Sequence, residues 1–413
     1  MKSMIWNLPE TVKKVLKRLN DEGFEAYIVG GCVRDCLLQK TPQDWDITTS
    51  AEPMEVKKLF AKTYDTGLQH GTVTVALEGK CYEVTTYRIE SEYDDCRHPN
   101  AVIFTKNLKQ DLQRRDFTIN AMAYHPQEGL KDPFLGQQDL EKKIIKGVGN
   151  PKERFEEDAL RMLRALRFSA QLGFSVEKET YLALQQQKKK IQYISVERIH
   201  QELEKILQAP YLEKMALLWE SGLLQEIAPT LSEQLKQKGE IIIKQLQKAD
   251  ADRMIRWTIL LQYMTGKQGE LFLKHMKFDN NTIKTVTTLL QHLKDDILPD
   301  DFMLRKKANE ISLEQLKRLL RLQYLIEEKQ SKKQAEKQLL EIEKRKDCIT
   351  LKQLAVNGSD LIKQGTAQGK QVGKILCHLL EIVHRFPEKN QKQILLCYAE
   401  QMMKKNSENQ KQI

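Results

Sequence analysis

The 413 residues are 40% hydrophobic and 30% charged, enough for several domains of a soluble globular protein. No run approaches the roughly 18 apolar residues of a membrane span, MKSMIWNLPE lacks a signal-peptide apolar core, and seven scattered cysteines without a Cys-x-x-Cys pair indicate neither a disulfide framework nor a zinc site and point to a reducing cytoplasm. The net charge of +10 points to a polyanionic partner, and residues 331–413, with 16 Lys and Arg against 9 Asp and Glu, carry most of it, although a solvated Lys/Gln-rich helical surface accounts for such charge equally well.

Residues 8–19 read as an amphipathic helix ended by Gly23. The apolar run 26–29 then reads as a strand leading into Gly30-Gly31, and Cys32, Val33, Cys36, Leu37 and Leu38 recur at helical spacing, so a helix starts at the glycines. Paired glycines at a helix start let backbone N–H groups approach a phosphate closely. Arg34, one turn on, has the guanidinium fork that grips phosphate oxygens. The next segment, Asp44-Trp45-Asp46-Ile47, reads as a strand, which places Asp44 and Asp46 on one face. Two adjacent carboxylates repel unless a cation lies between them, and Mg²⁺ combines one or two carboxylates with water and substrate phosphates. Each motif alone has an ordinary explanation, a turn or a solvated strand end; together they point to metal-assisted phosphoryl chemistry on a nucleotide.

Residues 54–60 read as a short helix. The runs 72–77 and 82–87 alternate and are rich in Val and Thr, with Glu78-Gly79 between them as a hairpin turn. Glu83 on the second strand is a candidate third acid, although an exposed strand Glu is commoner. SEYDDCRHPN, 91–100, reads as a loop and 101–104 as a strand. Arg114-Arg115-Asp116 again sets guanidiniums beside a carboxylate, suited to triphosphate and ribose. Residues 132–136 read as a turn and 147–151 as a boundary, after which helices continue to the end, with breaks near Gly173, Gly222, Pro229, Gly266, Pro299 and Gly358.

The stretch 156–170, EEDALRMLRALRFSA, reads as one helix with Asp158, Arg161, Arg164 and Arg167 three apart, so that Asp158 and Arg161 share an edge and the arginines spiral slowly. Leu160, Met162, Leu163, Leu166 and Phe168 supply apolar contacts between them. A carboxylate beside a guanidinium complements cytosine and adenine, which present an amino donor next to an unprotonated ring nitrogen, and mismatches uracil and guanine. A bidentate contact of this kind is worth about 1–3 kcal/mol of discrimination.

GGCVRD with DWDI, RRDFTINAMA, DPFLGQQDL and EDALRMLRALRF stand in an order that resembles the class II tRNA nucleotidyltransferases of the polymerase β-like superfamily, the bacterial CCA-adding enzymes. HGTVTV, EVTTYR, SVERIHQELEKIL and, more weakly, LAVNGSDLI with GKQVGKIL extend the resemblance over the whole chain. The resemblance implies an α+β fold, with a catalytic nucleotidyltransferase sheet head over 1–149, a helical neck over 150–212, a body over 213–300 and a basic, tRNA-binding tail over 301–413. It places metal ligation and catalysis on Asp44 and Asp46, nucleotide binding on Gly31, Arg34, Arg115, Asp158, Arg161, Arg164 and Arg167, and a ribose contact on Asp116. The implied reaction is template-independent addition of C, C and A to a tRNA 3′ end from CTP and ATP. One Mg²⁺ would activate the 3′-hydroxyl and another the pyrophosphate leaving group, in a monomer or homodimer that grips the acceptor and T arm. CC-only, A-only and poly(A)-adding enzymes are the alternatives within the superfamily, and a non-catalytic tRNA-binding protein is the alternative outside it. The intact carboxylate pair speaks against a pure binder, and the full-length loop at 91–100 favours A addition over a CC-only product.

Overall fold

The computed structural model describes residues 6–90, 102–365 and 369–410. The loop expected at 91–100 and the first residue of the strand expected at 101–104 lie outside them. The chain forms two compact units, 1–243 and 244–413.

The first unit begins with α1 (Glu10–Asp21), whose Val12, Val15, Leu16 and Leu19 lie on one face and are fully buried. β1 (Ala26–Val29) and α2 (Gly31–Leu37) follow at the predicted places. Next come β2 (Ile47–Thr49), α3 (Pro53–Leu59), β3 (Thr63–Gly67), β4 (Thr72–Leu77) and β5 (Lys80–Thr86). The predicted β4–β5 hairpin closes through Glu78 and Gly79 with φ of 50° and 76°, a two-residue turn that matches strand twist. β6 (Arg88–Glu90) pairs with β7 (Val102–Phe104), and α4 (Leu108–Gln113), β8 (Ala123–His125) and β9 (Gly129–Lys131) complete the sheet region.

Seven strands lie in the order β3-β4-β5-β2-β1-β8-β9. Only the β2–β5 pairing is parallel. β1 is buried on both faces. Ala26 and Ile28 pack in the cluster that contains α1 and Cys32 of α2. Tyr27 and Val29 pack with Tyr87, Leu112 and Ala121. A central strand covered on both sides needs four consecutive apolar residues rather than an alternation.

α5 (Gly136–Lys142) and β10 (Ile144–Ile145) lead into the helical part, α6 (Pro151–Glu157) and α7 (Leu160–Leu172). β11 (Ser175–Val176) pairs in parallel with β10. α8 (Lys178–Gln187), α9 (Val196–Leu207), α10 (Leu217–Glu220), α11 (Leu223–Ile227) and α12 (Pro229–Lys248) follow, and the division between units falls within α12.

Two expectations are corrected. The strand assigned at 44–47 begins only at Ile47, and Asp44 sits in a bend. The helix expected over 156–170 is interrupted at Asp158, whose φ of −142° is extended backbone. Asp158 Oδ1 accepts from the Leu160 N–H at 3.0 Å, so its side chain starts a new helix instead of continuing the old one.

The second unit is helical throughout its described residues: α13 (Arg253–Leu261), α14 (Gly266–His275), α15 (Asn280–His292), α16 (Asp301–Ile311), α17 (Leu313–Glu327), α18 (Gln330–Lys344), α19 (Gly358–Lys363), α20 (Lys370–Arg385) and α21 (Lys392–Gln410). Side-chain caps on Asp252, Thr265, Asp279, Asp300, Ser312 and Asn357 start six of these helices. Leu361, Leu379, Val383, Leu395 and Ala399 centre its last hydrophobic cluster. Among the described residues no helix is long and apolar enough to cross a membrane.

Candidate active site

The turn between β1 and α2 works as the sequence predicts, because Gly30 has a φ of +78°, a region disfavoured for residues with a Cβ. A Cβ on Gly30 would lie 3.1 Å from Arg115 Nη1, and one on Gly31 would lie 3.7 Å from Arg34 Nη2. A side chain on Gly30 would press on the Arg115 guanidinium, whereas one on Gly31 would make only ordinary contact with Arg34. Arg115 is held loosely. Its Nη2 reaches Asp111 Oδ2 at 3.5 Å, and its buried Nε has no partner. Arg34 is fixed more firmly, donating through Nε to Asp35 at 2.9 Å and through Nη1 to Asn120 Oδ1 at 2.7 Å.

Asp44 and Asp46 line one cleft of about 700 Å³ together with Trp45, Thr74, Lys80 and Glu83. The expected strand pairing of the two carboxylates is only half formed, since the Asp46 carbonyl accepts from Val29 N–H at 3.0 Å while Asp44 precedes the ladder. Desolvation by the cleft walls raises the Asp46 carboxyl above its ordinary range. Arg115 pulls it down, and the nearby Glu83 and Asp44 carboxylates push it up again. Glu83, the candidate third acid, therefore shares the electrostatic neighbourhood of the pair. This donor set is all oxygen and mutually repulsive, and suits a hard divalent cation. Among the described residues no group of three or more His, Cys, Asp or Glu is arranged to hold a metal ion unaided.

Asp116 is buried and central. Arg164 donates to its Oδ2 through Nε at 2.8 Å and Nη2 at 2.6 Å, while Phe117 N–H and Asn120 Nδ2 donate to Oδ1. Burial alone would raise the Asp116 carboxyl, and Arg164 with Asn120 overcomes this to hold it at about 2. The same chain of bonds joins Arg34 to Arg164 through Asn120.

Asp158 and Arg161, expected side by side, have different partners. Arg198 of α9 donates to Asp158 Oδ2 at 2.7 Å. Arg161 turns inward, to Glu157 at 2.5 Å and the Arg114 carbonyl at 2.8 Å. Arg167 pairs with buried Glu202 at 2.9 Å, and burial together with neighbouring Arg164 pushes it down to about 10. Reasoning from sequence missed Arg198 and Glu202. They lie four apart on α9, so they share a face, but a polar pair on an amphipathic helix gives no sign that it reaches across to α7. It also missed Asn120 and Phe168, which look like ordinary loop and core residues.

An arginine-flanked glycine turn next to a carboxylate cleft, carried on a mixed sheet and followed by an arginine-rich helix, defines a nucleotidyltransferase. Similarity to known proteins narrows the class. Three family models match the chain: Poly A polymerase head domain over 26–146, the probable RNA and SrmB-binding site of polymerase A over 173–235, and tRNA nucleotidyltransferase domain 2 over 251–399. The chain is 37% identical over 407 residues to the CCA-adding enzyme of Enterococcus faecalis, covering 95% of each. It is 40% identical over 371 residues to that of Listeria monocytogenes, covering 88% of this chain and 90% of the relative. The crystal structure of the Bacillus stearothermophilus CCA-adding enzyme in complex with CTP superposes with a TM-score of 0.82 at 31% identity, over 98% of this chain and 99% of that one. The Thermotoga maritima CCA-adding enzyme complexed with tRNA shares the fold, with a TM-score of 0.63 at 21% identity over 96% of each chain. The chain belongs to the CCA-adding enzyme family.

Proposed function

We propose that this protein adds C, C and A in turn to the 3′ end of tRNA without a nucleic-acid template, using CTP and ATP. The observation that carries the reading is the crowding of Asp46 by Asp44 and Glu83 in one cleft, with the Arg115 guanidinium close enough to pull on the Asp46 carboxyl. Asp44 and Asp46 would hold Mg²⁺, with Glu83 as a further acid. When bound, the metal lowers the cost of ionising the 3′-hydroxyl and neutralises the leaving pyrophosphate. The 3′-oxygen attacks the α-phosphorus, and the bond to the bridging oxygen breaks.

The chain's own groups set the geometry. Arg115 and Arg34 flank the glycine turn, where Gly31 lets phosphates approach the backbone. Arg164 and Arg167 add positive charge from α7, which stabilises negative charge developing on the triphosphate. Asp116 locks Arg164 in place and is the candidate for a ribose contact. Asp158 accepts from the exocyclic amino group of C or A, and Arg161 reaches the base edge beside it only by leaving Glu157 and the Arg114 carbonyl.

We read 1–149 as the catalytic head, 150–212 as the neck, 213–300 as the body and 301–413 as the tail that holds the tRNA acceptor and T arm, in a cytoplasmic monomer or homodimer. The cysteines among the described residues are all free, which suits that compartment. Asp44→Asn and Asp46→Asn test the reading. Each should reduce nucleotide addition to background while tRNA affinity changes less than twofold, and turnover near wild type at saturating Mg²⁺ would refute it.

A further inference from the structure

Phe168 of α7 is 5% exposed and packs in the core of the first unit, its edge against Phe117 at 5.8 Å and 82°. Three guanidiniums converge on its ring. Arg167 lies 4.2 Å from the centroid, Arg34 5.2 Å and Arg164 5.3 Å. Arg34 comes from α2 and the other two from α7, so the ring is where the glycine-turn helix and the arginine helix meet. Each arginine has one carboxylate partner, with Asp35 serving Arg34, Asp116 serving Arg164 and Glu202 serving Arg167. Asp116 and Asn120 already link Arg34 to Arg164, whereas Arg167 is bound to Glu202 of α9 and meets the other two at the ring.

Like charges this close repel, and Arg164 and Arg34 add to burial in pushing the Arg167 guanidinium down. An aromatic face carries negative quadrupole density and attracts each cation, most strongly where water is excluded. An aliphatic side chain of similar size fills the volume without that attraction.

We propose that Phe168 is a positioning residue for the nucleotide: its ring gathers Arg34, Arg164 and Arg167 into one preorganised cluster that receives the triphosphate. The proposal rests on the nucleotide-site reading given above. Because the contact is to phosphates, which CTP and ATP share, Phe168 acts on both nucleotides equally and has no part in base choice.

Replacing Phe168 with phenylalanine analogues carrying one, two and three ring fluorines weakens the face while keeping the shape. The KM for CTP and for ATP should rise stepwise and in parallel, by about 10-fold or more at three fluorines, with kcat nearly constant and the melting temperature lowered by only a few degrees. Phe168→Leu should match the trifluoro form in KM, and Phe168→Trp should restore part of the loss if it folds. Arg34→Ala is the control for the underlying reading. If Arg34→Ala leaves both KM values unchanged, the cluster does not meet the nucleotide and that reading fails. If Arg34→Ala raises KM and fluorination leaves it flat, the reading stands and the proposal for Phe168 is overturned. A KM rise for only one nucleotide also overturns it.

Discussion

Replacing Asp116 separates a structural role from a substrate contact. One carboxylate oxygen takes both Nε and Nη2 of Arg164 at 2.8 and 2.6 Å, and the other takes Asn120 and the Phe117 N–H. The residue is 9% exposed, so solvent screens the pair little. A carboxyl held at about 2 instead of the ordinary 3.8 contributes about 2–2.5 kcal/mol of folding stability at neutral pH. Asp116→Asn keeps the shape and one acceptor, and is expected to lose about that much. Asp116→Ala also leaves Arg164 without its buried partner and should lose about 3–5 kcal/mol. The folded-state value is depressed, so the contribution is complete above pH 3.8 and disappears as pH falls through about 2. Urea unfolding at pH 7, followed by tryptophan fluorescence, measures both variants, and a repeat at pH 3 should find the gap between wild type and Asp116→Asn narrowed. A variant within about 0.5 kcal/mol of wild type whose ribose-dependent KM is raised would refute the structural argument and leave Asp116 as a substrate contact alone.

Asp158→Ala removes the amino-group acceptor and frees Arg198, and should lower C and A incorporation relative to U and G by about 10- to 100-fold in single-nucleotide competition; proportional decline of all four nucleotides would place base reading elsewhere. Glu83→Gln should raise the Mg²⁺ concentration for half-maximal rate by about 10-fold or more, and an unchanged requirement would remove Glu83 from the metal site. Lys337, Lys352, Lys370 and Lys374 are exposed, and changing all four to Gln should weaken tRNA binding and reduce its log–log salt slope by about 0.7–0.9 for each tRNA phosphate that is no longer neutralised. An unaltered slope would mean that these charges are only a solvated surface.

The head was legible in sequence wherever local rules act alone. Gly30-Gly31, the Glu78-Gly79 turn and the buried β1 run each follow from backbone freedom or apolar pattern, and the structure has them in the expected places. The break at Asp158 was not legible because Phe155, Ala159, Met162 and Leu166 keep a helical period across it. The capping bond to Leu160 and the pull of Arg198, 40 positions away, decide the matter, and neither appears in periodicity. Phe168 reads as one more core residue until the fold brings Arg34 to its ring. Arg161, placed beside Asp158 by spacing, is drawn instead to Glu157 and the Arg114 carbonyl. Side-chain partners, some local and some far along the chain, rather than helix propensity therefore set the fine arrangement of the site.

The most direct test incubates a tRNA lacking its last three nucleotides with all four NTPs and Mg²⁺, and sequences the extended 3′ ends. The expected product is CCA with addition stopping there, and the same enzyme should add a single A to a tRNA ending in CC. Products ending at CC, extension by A alone to a CC end without prior C addition, a poly(A) tail, or binding without extension would each contradict the account.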